Sequence, residues 1–313
     1  MRITSNMQNQ NIMNTMMNNQ TVLATLQNQL ASGNKINSAS DKPSAVPAIM
    51  DSNTVLKKIV TYEDNITYLN GETEVTESTL GQITDIIQRL KTLNMEAANG
   101  TNSTEQLKLI NDEIKQLKEQ IVSMGNTKYQ GSYIFAGNKT GTQPFVINDD
   151  GSISYNGTPN DGAYKREYAI ADGVTVSINI AGDAAFGYST LKEAGPPPVY
   201  EGEGLLHTVN TLTNLLDADE PDYDAIRSQL DGLDAAQNTI LAARTEMGGV
   251  QSRLNMTNEQ HENSKITYKT IQANLQEVDV AQVVTELSTQ QVALQASLYV
   301  GSQIMRISLL DYM

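Results

Sequence analysis

Between Pro47 and Pro144 the chain has no proline, and after Pro221 it has none again. Proline removes a backbone donor and clashes with the preceding helical turn, so long stretches without it permit long helices. The apolar spacing supports that reading. Leu107, Ile110, Ile114, Leu117, Ile121 and Met124 alternate steps of three and four. So do Val55, Ile59, Tyr62, Ile66 and Leu69, and Leu80, Ile83, Ile87 and Leu90. Beyond Pro221, Tyr223, Ile226, Leu230, Leu233 and Ile240 continue in the same way. This is a heptad seam, not the alternation of a strand. Asn99-Gly100 is a helix stop, and Ser103-Thr104-Glu105-Gln106 is a capping box that starts the next helix. The fold class expected is mainly α: an elongated antiparallel helical bundle or coiled coil formed by both chain ends, with a small β insert.

The centre changes character. Val174, Val176, Ile178 and Ile180 alternate with polar residues, and Tyr164, Arg166, Tyr168 and Ile170 precede them across Ala171-Asp172-Gly173. That is a hairpin pattern. Phe145–Asn148 and Ser152–Tyr155, separated by Asp149-Asp150-Gly151, predict a second hairpin. A β-rich insert at 140–190 therefore interrupts the helices, which resume near Leu205. The chain goes out and returns, so its ends lie side by side. The expected division is 1–45 with 270–313 as a terminal assembly domain, 46–139 with 191–269 as a helical rod, and 140–190 as the insert.

The ends differ from everything between them. Before Asp41 the only charged residues are Arg2 and Lys35; after Asp279 they are Glu286, Arg306 and Asp311. Both ends still carry an apolar stripe: Ile12, Met16, Leu23, Leu26 and Leu30 in one, Val280, Val284, Leu287, Leu294 and Leu298 in the other. A solvated helix normally carries ion pairs on its outer face, yet here that face is Asn, Gln, Ser and Thr. Amides hydrogen-bond in many neighbour geometries, whereas stacked like charges repel. These helices are suited to being surrounded by other helices, and the two stripes are the candidate assembly contacts. An N-terminal arm of about 30 residues reaches about 45 Å if helical. Alone it is marginal, so the ends are expected to order on assembly; the alternative is an ordinary coiled coil within one chain.

Composition excludes several functions. The net charge of -15 argues against nucleic acid and against an anionic membrane surface. No run is long and apolar enough to span a bilayer, and no segment has the apolar core of a cleaved leader. Cysteine is absent, so thiolate metal sites and disulfides are absent too. His207 and His261 each lack a nearby second ligand and are read as bundle or surface residues. The acidic group Asp217, Asp219, Glu220, Asp222 and Asp224 lacks a calcium-loop spacing. It brackets Pro221, a good first helical residue, and is read as acids favouring a helix start. Gly137 to Gly141 has the wrong spacing for a phosphate loop and is read as a turn. Tyr129-Gln130-Gly131 and Gly202 to Gly204 are read as loop punctuation. No nucleophile–base pair or paired carboxylate stands out, so no catalytic, cofactor or metal residue is assigned.

Leu30 through Pro43 reads Leu-Ala-Ser-Gly-Asn-Lys-Ile-Asn-Ser-Ala-Ser-Asp-Lys-Pro. It resembles the N-terminal signature of bacterial flagellins and their relatives, with Gly33, Asp41 and Pro43 as motif positions. Gln290–Ser297 and Ser308–Met313, including Leu309 and Leu310, resemble the matching C-terminal signature. Arg244, Gly248-Gly249 and Gln251–Asn255, including Arg253, are similar to the stretch before it. Tyr133–Thr140, with Phe135 and Gly137, and the Leu-Leu-Asp-Tyr ending are similar to the hook-associated branch of the family. Lys42 stands where the family often has Asp, and Met313 where Leu is usual.

The resemblance implies a structural subunit exported unfolded through the flagellar type III channel, without a cleaved leader, to the extracellular hook–filament junction. It implies as partners flagellin, the preceding hook-associated protein, copies of itself in a ring, and a cytoplasmic export chaperone on the C-terminal helix. It also implies terminal helices lining the inner tube and a β insert facing outward. Two rival readings remain: a filament subunit, and a surface adhesin that binds through the insert.

Overall fold

The structure is a computed structural model that describes residues 5–148, 151–159, 166–178, 180–193, 199–218 and 221–310. Seven helices and eight strands occur among them. In order they are α1 (Ser5–Ser32), α2 (Val46–Ala97), α3 (Thr104–Gly125), β1 (Lys128–Tyr129), β2 (Ser132–Tyr133), β3 (Phe145–Ile147) and β4 (Ile153–Tyr155). There follow β5 (Glu167–Ala171), β6 (Val174–Ser177), α4 (Gly182–Phe186), β7 (Tyr188–Glu193), β8 (Val199–Glu203), α5 (Gly204–Asp217), α6 (Tyr223–Gln276) and α7 (Val280–Leu310). The predicted class holds: long helices from both termini with small antiparallel sheets. The chain divides into two compact units, Met1–Ile59 with Glu262–Met313, and Val60–His261.

Within Val60–His261 the predicted seams bury most of their positions, while Tyr62, Leu117, Met124, Tyr223 and Leu230 are half-buried. Leu80, Ile83, Ile87 and Leu90 of α2, Leu107, Ile110, Ile114 and Ile121 of α3, and Ile226, Leu233 and Ile240 of α6 are all buried in one core. Ser103 closes the capping box with Gln106, each side chain accepting from the other residue's backbone N–H. Ion pairs bind the helices at the rim of this core. Arg89 forms a two-pronged pair with Glu113 at 2.6 and 3.0 Å, Arg244 pairs with Glu77 at 2.5 Å, and Lys91 with Asp234.

The three phenylalanines of the chain, separated by up to about half a hundred residues in sequence, meet in this same core. Phe135 and Phe186 pack edge-to-face at 4.8 Å between centroids, and Phe145 meets Phe186 at 5.6 Å. All three are fully buried. Tyr155 packs on Phe145, and its hydroxyl donates to the Phe135 carbonyl at 2.9 Å while accepting from Gly182 N–H at 3.1 Å. Burial pushes its pKa up to about 12.

The hairpins β3–β4 and β5–β6 form as expected, with Phe145 opposite Tyr155 and Tyr168 opposite Val176. Asp149, Asp150, Tyr164, Asn179 and Pro196–Pro198 lie outside the described residues. The strands also extend beyond 140–190. β7 and β8 complete a four-stranded sheet in the order β3-β4-β7-β8. Gly202, read as punctuation, is inside β8; Gly204, at φ +77, starts α5. Gln130 and Gly131, both at positive φ, form the two-residue turn of the β1–β2 hairpin.

The β5–β6 hairpin is pinned to two helices. Ile170, Val176 and Ile178 pack with Ile66, Leu69 and Leu254. Asn65 donates to the Ala169 carbonyl at 2.8 Å, and Arg166 pairs with the buried Glu72 at 2.5 Å. His261, buried and stacked on Tyr62, contacts the Ile170 carbonyl at 2.6 Å. A carbonyl only accepts, so the histidine carries its proton on Nε2. His261 is thus structural.

Asp222 and Asp224 stand at the start of a helix, as read, whereas Asp217 belongs to the end of the preceding one. Asp217 ends α5 and pairs with Lys115 and Asn111. Asp222 is the residue that caps α6, accepting from Asp224 and Ala225 N–H at 3.1 and 3.0 Å. Pro221 therefore precedes the cap and is not the first helical residue. Asp219 and Glu220 lie outside the described residues.

Candidate assembly interface

The unit made of Met1–Ile59 and Glu262–Met313 joins the two chain ends. Its first helix, α1, has 28 residues and no charged side chain. It stops at Gly33, whose φ of +72 is the left-handed conformation that ends helices, and whose N–H donates to the Gln29 carbonyl at 2.9 Å. The returning chain is laced to this stop. Lys35 N–H donates to Gln276 O at 2.7 Å, Val278 N–H to Gly33 O at 3.1 Å, and Lys35 Nζ to Asn274 O at 3.1 Å. The next turn is held by Asp41, whose carboxylate accepts from Asn37 and Ser38 N–H at 2.9 and 2.8 Å. Ile36, Ala45 and Ile49 bury a small cluster against Leu275. Pro43 lies exposed in this turn.

These anchors set α1 antiparallel to α7. On α1, Leu26 is buried and Ile12, Met16 and Leu23 are half-buried; Leu30 is exposed. On α7, Val283 is buried and Leu287 and Leu294 are half-buried, while Val280, Val284 and Leu298 stay 43–54% exposed. The covered line of α7 runs through Val283, Leu287, Gln290, Leu294, Ser297 and Gly301. Gln290 donates to the Asn19 side-chain and backbone oxygens at 3.1 and 3.3 Å. A Cβ at the buried Gly301 would lie 3.4 Å from Ile12 and 3.6 Å from Met16. Of the C-terminal stripe read from the sequence, Leu287 and Leu294 lie on this intrachain seam, and Val280, Val284 and Leu298 lie off it. The true seam passes through an amide, a hydroxyl and a glycine, which an apolar count passes over. Its alternating steps of four and three are the signal that could have found it.

The pair leaves a second apolar set uncovered. Met13, Met17 and Val22 of α1 and Val280, Val284, Val292, Leu298 and Tyr299 of α7 are exposed. They lie on two helices whose surface is almost chargeless. The side chains of Leu309 and Leu310, and all of Asp311–Met313, lie outside the described residues.

The remaining motif positions fall in the other unit. Phe135 belongs to the phenylalanine cluster, and Gly137, at φ +64, lies where a Cβ would press on Thr158. Arg253 is exposed on α6. Among the described residues no group of three or more His, Asp or Glu is placed to hold a metal ion. No described helix is long and apolar enough to cross a membrane.

Comparison with known proteins places this architecture. Residues 3–140 match the bacterial flagellin N-terminal helical region, and residues 230–313 match the flagellin C-terminal helical region. The chain belongs to the bacterial flagellin-like family. Within it, the chain is 25% identical over 307 residues to flagellar hook-associated protein 3 of Salmonella typhimurium, covering 95% of both chains. The phase 1 flagellin of Salmonella naestved is 32% identical over only 119 residues, 38% of this chain and 24% of that one. The fold is also that of the flagellar junction protein FlgL of Legionella pneumophila, with a TM-score of 0.59 over 74% of this chain and all of that one, at 17% identity.

Proposed function

We propose that this chain is the structural subunit that joins the flagellar hook to the flagellin filament. The observation that carries the reading is the pair of terminal helices. They are nearly chargeless, paired with each other along one line, and apolar on flanks that nothing among the described residues covers. Similarity to a hook-associated protein over 95% of both chains, against a match to flagellin over only 119 residues, favours the junction over the filament.

In this reading 1–45 with 270–313 is the assembly domain, 46–139 with 191–269 the helical body, and 140–190 a β-rich segment not needed for assembly. Val280, Val284 and Leu298 contact neighbouring subunits, with Met13, Met17 and Val22 beside them. Head-to-tail contacts that do not close on two subunits build a ring or helical tier. Such a tier would receive flagellin on one face and the preceding hook-associated protein on the other. The subunit reaches the cell exterior through the flagellar export channel, guarded at its C-terminal helix by a cytoplasmic chaperone. A chain without disulfides presents no covalent obstacle to threading.

The test is genetic. Cells lacking this chain should assemble hooks, shed flagellin into the medium and carry no filaments, and an ectopic copy should restore them. Normal filaments in the deletion strain would overturn the assignment. Filaments that are merely shorter would point to a filament subunit instead.

A further inference from the structure

We propose that Asn99–Gly100 is a self-modification site, where the asparagine side chain is converted to aspartate and isoaspartate. In this chemistry the backbone nitrogen of the following residue attacks Cγ of the asparagine. A C–N bond closes a five-membered imide and ammonia leaves. Water then opens the imide at either carbonyl, giving aspartate or a backbone routed through the side chain. A following glycine favours the attack because no Cβ obstructs it.

The chain has three Asn-Gly pairs, at 70–71, 99–100 and 156–157. Their surroundings differ. Asn70 and Gly71 lie inside α2, where the helix fixes the backbone and Tyr129 crowds Gly71. Gly157 is buried under the Tyr155 ring, which its own turn holds in place. Asn99 and Gly100 are both exposed in the turn between α2 and α3, and nothing lies within 4 Å of where a Gly100 Cβ would be.

The turn also polarises the electrophile. Asn99 Oδ1 accepts from Thr101 Oγ1 at 3.1 Å and from Thr101 N–H at 3.4 Å. Attack on Cγ places negative charge on that same oxygen, so donors already aimed at it favour the tetrahedral intermediate. The backbone on either side is held: Asn99 N–H and the Asn102 side chain both donate to the Glu96 carbonyl.

The product matters to its surroundings. A new carboxylate stands at the C-terminal end of the 52-residue α2, where the helix dipole disfavours negative charge. An isoaspartate lengthens the backbone four residues before the cap of α3. In a subunit that is not replaced after assembly, the converted fraction would record its age. The chemistry itself is independent of what the chain assembles with.

Ageing of the purified full chain at mildly alkaline pH, followed by tryptic mapping, tests this. The three pairs fall in separate peptides, 59–89, 92–108 and 140–165, and fragmentation localises the converted residue. The 92–108 peptide should acquire the amide-to-acid mass change at Asn99 at least several-fold faster than the other two. Thr101→Ala should slow it several-fold, and denaturant should bring the three pairs to similar rates. Equal or faster conversion at Asn70 or Asn156 in the native chain would overturn the site. An unchanged rate in Thr101→Ala would overturn the activation by Thr101, and a rate at Asn99 no greater than in denaturant would do the same.

Discussion

Gly301 offers two substitutions of opposite expected sign. Its position is buried on α7, and a Cβ there would lie 3.4 Å from Ile12 Cγ2 and 3.6 Å from Met16 Sδ across the helix pair. Both are contact distances with little room beyond. Gly301→Ala relieves the conformational cost of glycine in a helix, about 0.5–1 kcal/mol, and buries one methyl group. Part of that gain is offset by the close Ile12 contact, so the net stabilisation should be about 1 kcal/mol. Gly301→Leu drives three further carbons into Ile12 and Met16, and overpacking of this kind costs about 1–3 kcal/mol.

Amide hydrogen exchange read separately on α1 and α7 is the assay. Protection of α1 around Ile12–Leu26 should rise about fivefold in Gly301→Ala. It should fall by about fivefold to about a hundredfold in Gly301→Leu. The response of α1 is decisive, because a change in α7 propensity alone would leave α1 as it was. If both variants shift α1 in one direction, or α1 does not respond, the intrachain seam through Gly301 is wrong.

Three further outcomes are expected. Phe186→Ala, which removes the ring shared by Phe135 and Phe145, should cost about 3–5 kcal/mol in urea unfolding followed by far-UV circular dichroism. Asn94 is fully buried with neither amide atom partnered among the described residues. Asn94→Leu should therefore raise the same midpoint by about 1–3 kcal/mol equivalent, and a loss would show that the amide is satisfied. Tyr68 and Tyr155 both have pKa values raised to about 12, each chiefly by burial. Because the unfolded tyrosines ionise near 10, stability from these groups is full below that pH and is lost as pH rises towards 12. Tyr155→Phe should make the alkaline decline shallower.

Much of this architecture was legible because helices and hairpins announce themselves locally. Leu80, Ile83, Ile87 and Leu90 are spaced by the helix alone, and all four are fully buried. The Ser103 box and the β5–β6 turn are likewise decided by a few neighbouring residues. What escaped depends on distant partners. β7 joins β8 and β4, a pairing that neither strand's own pattern records. The three phenylalanines give no sequence sign that they meet. On α7 the apolar stripe already held Leu287 and Leu294 of the seam, but nothing in it pointed to Val283, Gln290 and Gly301, which antiparallel α1 also covers. That choice is made by α1, through Asn19 and Ile12, and not by α7. The residues it leaves exposed are those assigned here to neighbouring subunits.

Sedimentation and electron microscopy of the purified chain, alone and with flagellin monomer under filament-promoting salt, test the junction assignment most directly. The account predicts no long homopolymers alone, and gold-labelled chain confined to filament ends when flagellin is present. Val284→Asp with Leu298→Asp should abolish that capture while leaving the monomer's helicity unchanged. Label distributed along the filaments, or long polymers formed unaided, would contradict the account.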